Sequence, residues 1–122
     1  MAAHIEFIED GRIFHVVYSG SVAAEEIAHA NDFAEMQFGL ALSPIHTLID
    51  LRDAKSLPDN FFGAAQHVIF NHHRAGMVVV LGNERQMSKL ASTVSRIAYF
   101  ERMCMTDDEQ DAMRQLRTVM AM

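Results

Sequence analysis

Only one cysteine, Cys104, occurs in the chain, so neither an intramolecular disulfide nor a multi-cysteine metal site can form, and a reducing compartment is the default expectation. Long apolar runs are missing as well. None approaches the ~20 residues that a membrane-spanning helix requires. The opening MAAHIEFIEDGR lacks a basic stretch followed by an apolar run of secretory length, which makes the cytoplasm the expected location. Positive charge is scarce: ten Lys and Arg against sixteen Asp and Glu give a net charge of -6. The basic residues are scattered and form no stripe for a phosphate backbone or an anionic membrane, so nucleic acid is not an expected partner. The short signatures of catalysis are absent too. There is no Gly-x-Gly-x-x-Gly, P-loop lysine, Gly-x-Ser-x-Gly elbow or His-Glu-x-x-His, and accordingly no catalytic residue, no cofactor and no enzymatic activity are expected.

What the chain does contain fits one domain. With 122 residues, half of them apolar, it supports a single core. Residues 4–8 (HIEFI) and 12–18 (RIFHVVY) are β-rich, and Glu9-Asp10-Gly11 between them supplies the Asp-Gly pair of a tight hairpin. Gly20-Ser21 should break the second strand, with Ser21 capping a helix whose Ala23, Ile27, Ala30, Ala34 and Phe38 recur at helical spacing up to Gly39. After Pro44, residues 45–51 (IHTLIDL) read as a central parallel strand covered on both faces. The next segment, RDAKSLPDN, reads as a loop leading into a second helix that runs to about Arg74 and stops at Gly76. Residues 77–82 (MVVVLG) form a β-branched, uncharged strand closed by glycine. Asn83 can cap a third helix with Met87, Leu90, Ala91, Val94, Ile97 and Ala98 along one face. A short strand near Arg102–Met105 follows. Thr106 and Glu109 then have capping-box spacing ahead of a last helix with Ala112, Met113, Leu116, Val119 and Met120 buried. The order β-β-α-β-α-β-α-β-α defines an α/β domain with a mostly parallel sheet, right-handed crossovers and one antiparallel edge.

That order, the segment LIDLRDA (residues 48–54), the strand VVVLG (78–82) and the late MCMTDDEQDAMRQL (103–116) together resemble the SpoIIAA-like family, related to STAS domains and loosely to Sec14-type lipid-binding domains. The resemblance covers nearly the whole chain. It implies a SpoIIAA-like fold and, by analogy with the switch-like STAS proteins, a non-enzymatic regulatory or protein-interaction module. The Sec14 relationship implies the alternative, a binder of a small apolar or anionic ligand. STAS switches carry an Asp-Ser-Ser-Gly-like motif after the third strand. Here that stretch reads Arg52-Asp53-Ala54-Lys55-Ser56-Leu57-Pro58, so the motif is absent.

Ligands in open parallel sheets collect at the carboxyl edge of the strands, which should gather Gly20-Ser21, Asp50 to Ser56, Gly82 to Arg85 and Thr106-Asp107. Asp50, Arg52, Asp53, Lys55 and Ser56 are the candidate ligand or partner loop: charges of both signs beside an expected helix start, where free amides favour an anion. A solvated loop with local ion pairs is the plainer alternative. Ser56 is either a helix N-cap or a phosphoacceptor whose dianion would gain from the helix dipole. On the second expected helix Phe61, Ala65, Val68 and Ile69 make the buried stripe while Phe62 and Phe70 project to its sides. That surplus suits a homodimer contact or an apolar groove, unless neighbouring helices bury both rings. His67, His72 and His73 lack the i, i+3 or i, i+4 spacing of a helical metal site, and the neighbours His72 and His73 should point apart, so no metal is expected. Cys104, between two methionines in a strand, suits an inert core thiol, and the nine methionines suit pliable core filler.

Overall fold

A computed structural model of the chain describes residues 3–58, 61, 72–86 and 103–121. They comprise the strands β1 (Ala3–Ile8), β2 (Ile13–Ser21), β3 (Ile45–Ser56), β4 (Ala75–Leu81) and β5 (Met103–Thr106), and the helices α1 (Ala24–Gly39) and α2 (Glu109–Met120). Phe61 and residues 84–86 are helical at the places where the second and third helices are expected. Residues 62–71 and 87–102, where the rest of those two helices is expected and where Phe62, Phe70 and His67 fall, lie outside the described residues. No described helix is long and apolar enough to cross a membrane.

The five strands form one sheet in the sequential order β1-β2-β3-β4-β5. β1 and β2 are antiparallel, and β2 to β5 are parallel. The hairpin turns where the sequence places it. Asp10 and Gly11 take φ values of 59° and 80°, the paired left-handed conformation a primed turn demands, and the Arg12 amide donates to the Glu9 carbonyl at 3.2 Å. A β-branched residue at either position would be forced into a conformation it resists.

Because successive strand residues face opposite ways, β3 serves two cores at once. Ile45, Ile49 and Leu51 join Phe14, Val16, Tyr18, Val78 and Val80 beneath α1, which contributes Ile27, Ala30, Ala34 and Phe38. Leu48 joins Ile13, Val79 and Leu81 on the other face, covered by Ala112 and Leu116 of α2. Phe61 is buried in the first of these cores, its ring edge-on to Tyr18 at 5.6 Å. Each Val, Leu, Ile or Phe of this double layer that becomes fully buried stabilises the fold by about 1.5–3 kcal/mol, which explains why β3 and β4 read as continuous apolar runs.

Three local expectations are corrected. β2 does not stop at Gly20: it continues to Ser21 through bulges between Val17 and Ser19 and between Gly20 and Ser21, with Gly20 at φ 65°. Ser21 is therefore not the helix cap. Ala23 occupies that position without a side-chain bond, while buried Val22 gives its amide to the Ser56 carbonyl at 3.0 Å. At α2 the cap is Asp108, whose carboxylate accepts from the Gln110 amide at 3.0 Å. The Thr106 hydroxyl instead accepts from the Asp108 amide at 3.2 Å.

Candidate functional site

β3 outruns its neighbour. Its ladder with β4 ends at the pair Asp50–Leu81, yet the strand continues through Ser56. The segment from Arg52 to Ser56 is thus an extended ledge and not the loop expected from its charges. Two supports hold it straight. On one side it pairs with Ser19, Gly20 and Ser21 of β2. On the other, the Gln86 side-chain amide donates to the carbonyls of Leu51 and Ala54, the latter at 2.9 Å. Gln86 is itself fixed by a reciprocal pair with Asn83: the Asn83 amide donates to Gln86 Oε1, and the Gln86 amide to Asn83 Oδ1, both at 2.9 Å. The cap expected at Asn83 is present, and its partner Gln86 doubles as a strand clamp.

Asp50 is the only carboxylate buried among the described residues, 6% exposed. Arg52 engages both of its oxygens: the backbone amide and Nε donate to Oδ1 at 3.0 and 3.1 Å, and Nη2 donates to Oδ2 at 2.8 Å. Burial pushes the carboxyl pKa up. The bonds from Arg52, its charge and that of His15 pull harder the other way and hold it below the ordinary range. Asp50 in turn raises the Arg52 pKa. Arg52 Nη2 also lies 3.5 Å from Glu109 Oε2, so the guanidinium bridges β3 to the first turn of α2. A carboxylate so fully engaged is a poor proton acceptor. It orients Arg52 instead.

The other candidate residues separate from this pair. Asp53, Lys55 and Ser56 are exposed along the ledge. Lys55 and Ser56 line a hollow of about 50 Å³ with Ala54, Leu57, Arg85 and Gln86. Ser56 is the last residue of β3, which replaces its expected role as a helix cap, and its carbonyl accepts the Val22 amide. Gly82 donates to the Thr106 carbonyl at 3.0 Å and brings the ends of β4 and β5 to the same edge.

His72 and His73 do not point apart: their rings stack with centroids 4.6 Å apart. Residues 72–74 form a bend and turn and not the end of the helix expected to run to about Arg74, and the Arg74 amide donates to His72 Nδ1 at 3.0 Å. Among the described residues no group of three His, Cys, Asp or Glu is placed to hold a metal ion. Cys104 is half-buried in β5 and donates to Gln115 Oε1 at 2.7 Å; burial and then Asp111 push its thiol pKa up, away from thiolate reactivity.

No protein-family model and no curated protein matches the chain. A solved structure does: that of an uncharacterized protein of the DUF3478 family with a SpoIIAA-like fold, from Shewanella loihica PV-4. The two share 18% identity over 94% of this chain and 92% of the other, with a TM-score of 0.65. The chain has the SpoIIAA-like α/β fold, with an antiparallel opening pair and an otherwise parallel sheet.

Proposed function

We propose that the chain is a non-enzymatic regulatory module of the cytoplasm that binds a protein partner along the ledge from Arg52 to Ser56. The observation that supports this reading is the ledge itself, five residues of strand held beyond β4 by the Gln86 amide, presenting exposed Arg52, Asp53, Lys55 and Ser56 in fixed alternation. A rigid row of opposite charges suits recognition of a complementary protein surface, because little side-chain and backbone freedom is lost on docking. The test places a photo-crosslinking residue at Lys55 and, as a control, at Glu35 on α1. The partner captured specifically at Lys55 is then purified and titrated against Lys55→Glu and Asp53→Lys. The proposal requires at least a tenfold loss of affinity in one of them. Equal capture from both positions, or unchanged affinity in both variants, would overturn it.

A second reading is favoured by one observation: Lys55, Ser56 and Arg85 all line the hollow of about 50 Å³, and their side chains can donate to a small anion. Titration with inorganic phosphate separates the two. Saturable binding lost in Lys55→Gln supports the ligand reading, and no binding rejects it.

A further inference from the structure

We propose that β1 is the interface of a symmetric dimer in which two copies join edge to edge into one continuous sheet. Among the described residues β1 is the outermost strand, paired with β2 on one side only. Its free edge offers unpaired backbone groups, and a second copy can satisfy them. Complementary donor and acceptor side chains select that copy and its register. Residues facing one another across antiparallel strands point to the same side of the sheet. Keeping the two helical layers of both copies aligned, three registers of β1 against itself set His4 and Glu6 of the two copies against themselves or each other, those in which His4, Ile5 or Glu6 meets its own equivalent on the two-fold axis. The first sets imidazole against imidazole and the last carboxylate against carboxylate. The middle one sets His4 of each copy opposite Glu6 of the other, twice. Glu6 already accepts from His15 of β2 at 3.1 Å, so the imidazole of a second copy would extend an existing cross-strand row.

The same register matches shapes on the opposite face. There Ile5 meets Ile5, and Phe7 meets Ala3. Phe7 is large and backed by the exposed Phe33 of α1, ring centroids 6.0 Å apart. Ala3 is small and lies beside a mostly apolar groove of about 210 Å³ that continues along α1 past Glu25, Glu26 and His29. Bulk on one copy therefore faces space on the other, and the two-fold axis repeats the fit. Phe33 and Met36, 38% and 62% exposed, extend the apolar rim of this edge. A second copy explains the charges of β1, its open edge and the uncovered side of α1 together.

Sedimentation equilibrium on the full chain tests the proposal with two variants, His4→Glu and Glu6→Lys. His4→Glu sets carboxylate against carboxylate at both ends of the interface, and Glu6→Lys replaces the acceptor that faces each His4 with a donor; each is expected to weaken dimerisation at least about tenfold. Mixed in equal amounts, they set the new carboxylate against the new ammonium and Glu6 of one chain against His4 of the other, so a heterodimer is expected to reappear. Its reappearance also shows that both variants fold. A wild-type monomer across the micromolar range, a dimer indifferent to both substitutions, or a mixture that stays monomeric would each overturn the proposal.

Discussion

His46 Nδ1 accepts the backbone N–H of Met77 at 2.8 Å, so an imidazole takes the place of a ladder carbonyl between two parallel strands. The register around it explains why. From Ile45–Ala75 to Thr47–Val78 the ladder advances two residues on β3 and three on β4, and His46 fills the resulting bulge.

Gly76 lies beneath that ring, where a Cβ would stand 2.3 Å from His46 Nδ1. The ring is buried and already bonded, so it has little room to yield. Gly76→Ala is expected to cost about 1–3 kcal/mol of stability, read from the urea midpoint, and to speed hydrogen exchange at the Met77 amide.

The His46 bond also sets an acid limit. Burial and then the Arg12 charge lower the His46 pKa, so the folded protein takes up this proton less readily than the unfolded chain. Stability from this group is present above about pH 6.5, the unfolded value, and is lost as pH falls from there through the lower folded value. Denaturation midpoints measured across that range should fall with acidification. His46→Gln, which keeps an acceptor and removes the titration, should flatten the slope.

Arg52 and Glu109 separate a buried ion pair from an exposed one. Arg52→Ala strands the buried Asp50 carboxylate and is expected to cost about 1–3 kcal/mol, discounted from the fully buried case because Arg52 is itself partly exposed. Glu109→Gln loses only an exposed contact and should change stability by less than about 0.5 kcal/mol. Asp50 acts in a window of its own: its depressed pKa supports stability above its ordinary value near 3.8, lost as pH falls below that. Equal thermal shifts for the two substitutions would contradict this account of the site.

The Gln86 clamp is open to a paired test. Gln86→Glu replaces an amide donor with a carboxylate aimed at two carbonyls, whereas Gln86→Ala only leaves those carbonyls unpaired. The expected order of stability is wild type, then Gln86→Ala lower by about 1–3 kcal/mol, then Gln86→Glu lowest at neutral pH. Faster exchange at Val22, whose amide donates to Ser56 at the end of the ledge, should accompany both.

Elements whose pattern is periodic were legible from residues alone. Ile27, Ala30, Ala34 and Phe38 recur at helical spacing and all four are buried; Met103 to Thr106 form a strand where a short one was expected. The misread boundaries turn on partners distant in sequence. Arg52 and Asp53 look like the end of a strand because they are charged, and only the bulged end of β2 and the Gln86 amide keep them extended. Ser21 has the chemistry of a cap, but the need to bury Val22 moves the helix start beyond it. At the candidate site, Asp50 and Arg52 meet because their two-residue spacing puts them on one face of a strand, a pairing that a loop over residues 52–60 does not imply. Gln86 left one signal, its capping-box spacing from Asn83, and nothing in that spacing announces its second pair of bonds.

The alternation along β3, Leu48 to one side and Ile49 to the other, has a consequence for how the protein melts. Neither helical layer can detach without exposing the reverse side of a backbone that the other still needs. The two cores are thermodynamically one unit, so calorimetric and van't Hoff enthalpies of unfolding should agree, and a partner that stiffens the ledge at the end of β3 should raise the melting temperature of both layers together.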